Sequence, residues 1–284
     1  MSTIDVAIAD GVATLTLRNP AVCNALDGNV IRDLNLALDR IQRPDSGARA
    51  IVMTGAGDVF CSGQDLRSLD LSTPEARQRA HVRVRRFMDP LMLRLSEYRL
   101  PVLAAVNGPA VGAGMTIALA ADVIVVADSA FFAPSFIKLG FVPDAGSIFH
   151  LARRIGGGRS MSTLLLAERI DATRALEWGL AYALVPSSEV LARTQEIARG
   201  LAAGPTRAIA KLRSLQVSAF NMSLREHLQQ ERLAHEDELE SGEPVEGVRA
   251  FFAKRDPTFQ SPCAAVDEEK GQPSTQARNF AQKP

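Results

Sequence analysis

The sequence predicts an α/β layered fold, and three observations carry that expectation. Short apolar runs with the character of buried strands, ARAIVMTG, PVLAAVNG and ADVIVVAD, recur in the first half of the chain. Segments with helical apolar spacing separate them, which is the alternation of an α/β layer structure. The first two runs lead straight into glycine-rich loops.

Residues 4 to 17 read as a β-hairpin: IDVAI, a turn at Ala9-Asp10-Gly11, then VATLTL with apolar alternation. After the polar loop RNPAVCN, Asp27 is placed to cap a helix bearing Val30, Leu34, Leu38 and Ile41 on one face. ARAIVMTG then runs into GAGDVFCSGQD. Residues 74 to 98 are charged and amphipathic, and Pro90 within them predicts a kink or two helices. PVLAAVNG is followed by PAVGAGM and an Ala-rich helix, and ADVIVVAD is the third strand. From about residue 145 onward the pattern is almost wholly helical. DATRALEWG starts on a capping Asp171 and ends at Gly179, with Trp178 at a core-and-cap position, while Ser223 and Glu226 have capping-box spacing. The tail after about residue 260 lacks apolar periodicity and is expected to be disordered.

The chain has 284 residues, enough for one large domain or two modest ones, and is 46% hydrophobic and 23% charged. Thirty-two basic residues balance thirty-two acidic ones, so nothing in the net charge points to nucleic acid or an acidic membrane. Cys23, Cys61 and Cys263 are widely spaced and odd in number, with no pattern for zinc or a disulfide framework; no metal site is expected. No secretory signal opens the chain and no apolar run approaches the roughly 18 residues of a membrane span. A soluble cytoplasmic protein is expected.

The two glycine-rich loops are TGAGDVFCSGQDL (54–66) and NGPAVGAGM (107–115). Small residues there let backbone N–H groups approach a ligand, and a following helix adds positive potential. GPAVGAG lacks the Lys-Ser or Lys-Thr of a phosphate-binding loop, and no G-x-G-x-x-G occupies the first βα turn. Tight packing is the plainer reading of one such loop; two converging loops suggest paired N–H donors for a developing oxyanion. Asp144, in FVPDAGS, is a carboxylate among apolar neighbours, either a helix cap or a reagent. Asp89 beside Pro90 admits the same two readings. His81, His150, His227 and His235 lie in no motif and read as surface or structural, and Arg153, Arg154 and Arg159 read as a solvated face.

RNPAVCNALD, the two loops with their flanking strands, KLGFVPDAGSIFHLARRIGG, LEWGLAYALVP and EGVRAFFAKRDPTF resemble, in order, six segments of the crotonase or enoyl-CoA hydratase/isomerase superfamily. The likeness spans roughly residues 4 to 260. It implies a crotonase-like ββα spiral over residues 1–200, a helical trimerisation region over 201–260 and a tail over 261–284. It also implies a coenzyme A thioester as substrate, no separate cofactor, and a homotrimer or dimer of trimers. By that resemblance the N–H groups of Gln64 and Ala113 hold the thioester oxygen; Ala113 stands where Gly is common in the family. Ala21, Val22, Cys23, Asp65, Leu66 and Arg67 fall where the family lines the coenzyme A cleft.

Typical hydratases of the family hold a water with two glutamates, and here those positions carry Thr116 and Phe136. Neither is a general base, and Phe136 would exclude water along the acyl site. Asp144 resembles the acid/base carboxylate of enoyl-CoA isomerases, with the segment most like the ring-opening isomerases of phenylacetate breakdown. Asp89 falls where relatives place a polar side chain near the acyl group. The rivals are a hydratase or other acyl-CoA lyase or hydrolase, including a dehalogenase with Asp144 as nucleophile, and a non-catalytic acyl-CoA- or RNA-binding paralogue. Dehalogenase-like members usually carry His at the place of Asp89 and Trp at that of Phe136.

Overall fold

Strands β1 (Ile4–Ala9) and β2 (Val12–Leu17) pair antiparallel around Asp10 and Gly11, whose φ values are 52° and 74°. Positive φ at both central residues matches the twist that a two-residue hairpin requires. The computed structural model describes residues 3–259. Helix α1 (Gly28–Ile41) starts on Asp27, whose carboxylate accepts from Asn29 N–H at 2.8 Å and Val30 N–H at 2.9 Å. Its expected face, Val30, Leu34, Leu38 and Ile41, is buried.

After β3 (Ala50–Gly55) come α2 (Pro74–Arg83), a π-helical turn (Val84–Met88) and α3 (Asp89–Glu97). The segment breaks before Pro90, not at it. Pro90 lies in the first turn of α3, where a missing N–H costs nothing. The chain continues through β4 (Val102–Val106), β5 (Ala110–Val111), α4 (Ala113–Leu119), β6 (Val123–Ala127) and β7 (Phe131–Ala133). Then come α5 (Ser147–Ile155), α6 (Gly157–Leu166), β8 (Ile170–Asp171), α7 (Ala172–Glu177), β9 (Ala183–Val185) and α8 (Val190–Ala202). Helices α9 (Thr206–Ala219), α10 (Leu224–Glu240) and α11 (Glu243–Ala253) close the described chain.

The larger sheet has the order β1-β2-β3-β4-β6-β9 and is parallel from β2 onward; the smaller has the order β5-β7-β8. The chain alternates between them, β4 then β5, β6 then β7, and this alternation winds the two sheets into a spiral. Strands β3 and β4 are buried along their whole length, as parallel strands covered on both faces must be. Helix α8 lays Val190, Thr194, Ala198 and Ala202 across β2, β3, β4 and β6.

The expectation of an almost wholly helical second half needs correction, because β8 and β9 lie within it. Two- and three-residue strands are too short to show alternation; neighbouring strand edges recruit them. The capping box before α10 is present, with Ser223 N–H donating to Glu226 Oε2 at 2.9 Å and Glu226 N–H returning to Ser223 Oγ at 3.4 Å. Arg213 is buried and fastens α9 to the sheet through Asp122 at 2.7 Å, and Asp122 also accepts from Val102 N–H at 2.7 Å. No residue of α10 is buried, and Leu224, Leu228, Leu233 and Leu239 are exposed. The expected tail over 261–284 lies outside the described residues. Among the described residues no helix is long and apolar enough to cross a membrane.

Candidate active site

Backbone pairing clasps the two glycine-rich loops together. Asn107, at the end of β4, accepts from Gly55 N–H at 3.1 Å and donates to the Gly57 carbonyl at 2.7 Å, tying the two loop entrances. Further in, Cys61 N–H donates to the Pro109 carbonyl at 3.2 Å and Val111 N–H to the Cys61 carbonyl at 2.9 Å. Three residues beyond Cys61 is Gln64; two beyond Val111 is Ala113. Between them Gly63 has φ +88°, and a Cβ there would lie 2.6 Å from the Val111 carbonyl oxygen and 3.3 Å from Ala113 N. The Gln64 and Ala113 peptide groups are therefore neighbours. Among the described residues neither N–H has a hydrogen-bond partner. The unusual backbone falls on Gly112 (φ 53°, ψ −122°), so Ala113 starts α4 in an ordinary conformation that tolerates its methyl.

Asn24 holds the first loop from beneath. It is buried, accepts from Asn19 N–H at 2.9 Å and donates to the carbonyls of Ala56 at 3.0 Å and Val59 at 2.7 Å. Leu26 N–H donates to the Gly63 carbonyl at 2.7 Å and Asp65 N–H to the Leu26 carbonyl at 2.9 Å, so residues 63–65 are pinned on both sides of Gln64. Ala21 and Val22 lie in a 3₁₀ turn (Pro20–Val22), and the Cys23 carbonyl accepts from Ser62 N–H at 3.0 Å. Asp65 caps a second 3₁₀ turn (Leu66–Ser68) and pairs with Arg67 at 2.9 Å; the pairing holds its carboxyl below the usual range. Of the six residues expected along a coenzyme A cleft, Ala21, Val22 and Cys23 thus join the first loop through Ser62, and Asp65, Leu66 and Arg67 follow Gln64 directly. Phe136 stands near Gly112, where an added Cβ would come within 4.0 Å of its ring. Burial pushes the Cys61 thiol up to about 12, so it is no nucleophile.

Asp144 occupies an irregular stretch ahead of α5. Ala145 and Gly146 follow with φ 54° and 82°, and Gly146 caps α5 with no side-chain bond. The alternative reading of Asp144 as a helix cap therefore fails. Its backbone carbonyl accepts from Ser147 N–H at 2.9 Å and Ser147 Oγ–H at 2.7 Å. Asp144 is exposed as a residue, yet its carboxyl is crowded enough that desolvation raises its pKa. Its own backbone N–H opposes that rise, and the negative charge of Asp89 adds to it. Asp89 directly follows the π-helical turn, and no side-chain bond from it caps α3, so its capping reading fails too. The two carboxylates share one region.

A pair of hydroxyls joins the two halves. Thr116, one turn into α4 from Ala113, lies 2.5 Å from Ser147 Oγ, and Ser147 bonds the Asp144 carbonyl. Sequence reasoning missed this tie, as it missed the roles of Asn24 and Asn107. An Asn at the end of a strand, next to Gly, is a readable signal for the last; Thr116 and Ser147 carry none, since their partners are set by how α4 meets α5.

His150 is half-buried beside Gly146, and its pKa is lowered to about 4 by desolvation and then by Arg154 and Arg153. Arg154 is no part of a solvated face. It is largely withdrawn from water and donates to the carbonyls of Leu119 at 3.0 Å and Ala121, locking α5 onto the end of α4. Arg153 stacks on Phe149, with its guanidinium carbon 3.4 Å from the ring centre. A cavity of about 720 Å³ opens elsewhere, between α3 and α9, and its Lys211 is paired with Glu238 at 2.6 Å. Among the described residues no three His, Cys, Asp or Glu side chains converge as a metal site.

The family model for enoyl-CoA hydratase/isomerase matches residues 7–262, and the chain belongs to that family of enzymes. It is 36% identical over 252 residues to 1,2-epoxyphenylacetyl-CoA isomerase of Escherichia coli (strain K12), covering 89% of this chain and 96% of that one. It is 38% identical over 204 residues to 4-chlorobenzoyl coenzyme A dehalogenase-1 of an Arthrobacter species, covering 72% of this chain and 73% of the other. Among solved structures, an enoyl-CoA hydratase from Polaromonas sp. JS666 matches with TM-score 0.84 and 31% identity over 90% of this chain and 99% of that one. The α/β crotonase fold implied by the sequence resemblance is the fold observed.

Proposed function

We propose that the protein is an enoyl-CoA isomerase, acting by a double-bond shift or a ring-opening isomerisation on a coenzyme A thioester. The observation that carries this reading is one crowded carboxylate of raised pKa, Asp144, tied to the helix that begins at Ala113. Gln64 and Ala113 N–H groups receive the thioester oxygen. Asp144, ionised, takes a proton from a carbon of the acyl chain, and the electron pair moves onto that oxygen as an enolate. The protonated Asp144 then returns the proton to a different carbon, and the enolate collapses to the shifted double bond. Nothing enters or leaves, which suits an isomerase with one acid/base group. Thr116 and Phe136 supply no second carboxylate to hold a water, which weighs against hydration. A raised pKa suits a base near neutral pH better than a nucleophile that must stay ionised, which weighs against a dehalogenase.

The same reading includes a cytoplasmic homotrimer or dimer of trimers, with no cofactor beyond the thioester and no nucleic-acid or membrane partner. The exposed leucines of α10 motivate the oligomer.

A panel of 3-enoyl-, 2-enoyl- and cyclic acyl-CoA thioesters, followed by ultraviolet absorbance and mass, tests the reaction. Isomerisation without change of mass is the expected outcome. Asp144→Asn keeps the shape and should lower that rate by at least about 10². Its melting temperature should hold or rise, because a carboxylate whose native pKa is raised destabilises the fold at neutral pH. An Asp144→Asn variant with the wild-type rate would sink the assignment.

A further inference from the structure

We infer that Thr116 and Ser147 are positioning residues for the reaction: a two-hydroxyl relay that sets Asp144 at a fixed distance from the N–H of Ala113. The inference rests on the reading of Asp144 as the acid/base group.

Proton counting gives the relay a direction. Two hydroxyl protons serve three close contacts: Thr116 Oγ1 to the Gly112 carbonyl at 3.2 Å, Thr116 Oγ1 to Ser147 Oγ at 2.5 Å, and Ser147 Oγ to the Asp144 carbonyl at 2.7 Å. Oxygens 2.5 Å apart need a proton between them, so only one outer contact holds the other proton. The Gly112 carbonyl already accepts from Thr116 N–H at 3.1 Å, and its hydroxyl contact is the longer of the two. The chain therefore runs from Thr116 Oγ1–H to Ser147 Oγ, and from Ser147 Oγ–H to the Asp144 carbonyl. With Ser147 N–H also donating at 2.9 Å, both lone pairs of that carbonyl are filled.

Burial makes the relay hard to replace. Thr116 is 0% and Ser147 1% exposed, so water has no access if a hydroxyl is removed. Asp144 itself sits in no helix or strand, and the next two residues carry positive φ. Among the described residues, the two bonds from Ser147 hold its backbone to the rest of the fold. Thr116 lies on the same helix as Ala113, so base and oxyanion donor are separated by one helical turn and two hydroxyls. A displacement of about 1 Å between reacting groups can cost on the order of 10² in rate.

The test uses the full chain with 3-hexenoyl-CoA and a cyclic 3-enoyl-CoA as probes, measuring kcat and KM separately. Thr116→Val and Ser147→Ala should each lower kcat by about 10- to 100-fold with KM within about twofold. Thr116→Ser, which keeps the hydroxyl, should retain the wild-type kcat. The double variant should fall no further than Ser147→Ala, because both act through one chain of bonds. Should Ser147→Ala fail to fold, Thr116→Val against Thr116→Ser decides. Wild-type kcat in folded Thr116→Val, or equal losses in kcat for Thr116→Ser, would overturn the inference while an inert Asp144→Asn left the base assignment standing. An active Asp144→Asn, or a wild type inert toward both probes, would defeat the underlying reading as well.

Discussion

The two halves of the site are built in opposite ways. The donor half consists of peptide groups, fixed redundantly by Asn24, Asn107, the Cys61–Ala110 pairing and the bonds on both sides of Gln64. The base half is an irregular stretch whose Phe141 and Val142 are exposed and whose Asp144 backbone hangs on Ser147. Donor geometry is therefore a property of the fold, and the identity of the base is a property of a few side chains. Relatives bearing the names isomerase and dehalogenase both match most of this chain. That is what such a division would permit under the proposed function: one donor geometry kept by the fold, with local residues choosing the chemistry.

The donor half should break abruptly. Gly63→Ala places a Cβ 2.6 Å from the Val111 carbonyl oxygen at a φ of +88°. Two backbones cannot both keep their places, so one N–H must turn away, and loss of one oxyanion donor costs about 10²–10³ in rate. We expect turnover of an enoyl-CoA probe to fall by at least that factor in a variant that still folds. Normal turnover would mean that the loops are less tightly clasped than the bridge between Cys61 and Ala110 implies.

Much of the donor half was legible in the sequence, and less of the base half. The hairpin, the buried face of α1 and both glycine loops follow from local periodicity and turn chemistry, which a single chain displays. The convergence of Gln64 and Ala113 needed the family resemblance, because spacing alone left tight packing as an equal reading. The capping alternatives for Asp144 and Asp89 were reasonable by residue type. They fail because Gly146 and the π-helical turn set those helix starts by backbone geometry. Arg154 looked solvated because its carbonyl partners, Leu119 and Ala121, lie over thirty positions away in sequence. Thr116, Ser147 and the recruitment of β9 share that cause: long-range partners leave no local mark.

The base half should instead respond to pH. His150 lies beside Gly146, and its pKa of about 4 keeps it neutral in the fold, while in the unfolded chain it titrates near 6.5. Its native pKa is depressed, so the unfolded state binds more protons between pH 6.5 and 4 and stability falls with pH across that window. Little of this is felt at pH 7, where the ring is neutral in both states; the loss builds to on the order of 1–3 kcal/mol as pH drops to about 4. His150→Gln should flatten the dependence of melting temperature on pH between 4 and 6.5. A variant whose profile still falls in parallel with the wild type would show that other groups carry the acid sensitivity.

The smallest expected effect is the most informative about the base. Desolvation is the main cause of the raised Asp144 pKa; its own N–H opposes it, and Asp89 adds a lesser push in the same direction. Asp89→Asn removes only that push, so the Asp144 pKa should come down and still exceed the ordinary carboxylate value. A base must be ionised, so kcat/KM of the wild type should rise with pH through the Asp144 pKa to a plateau. In Asp89→Asn the rising limb should move to lower pH, with the plateau within about threefold of wild type because a weaker base abstracts slightly more slowly. Stability should shift in the matching sense. A carboxylate with a raised native pKa loses stability as pH climbs, so relieving its repulsion should lift the melting temperature at pH 7 and leave it unchanged well below the unfolded pKa. A limb that stays fixed or moves upward would mean that Asp89 does not act on the base, and the two carboxylates would then have to be assigned separate tasks. The donor half would offer no equivalent adjustment, because in the proposed reaction Gln64 and Ala113 act through backbone N–H groups that no neighbouring charge can protonate or remove.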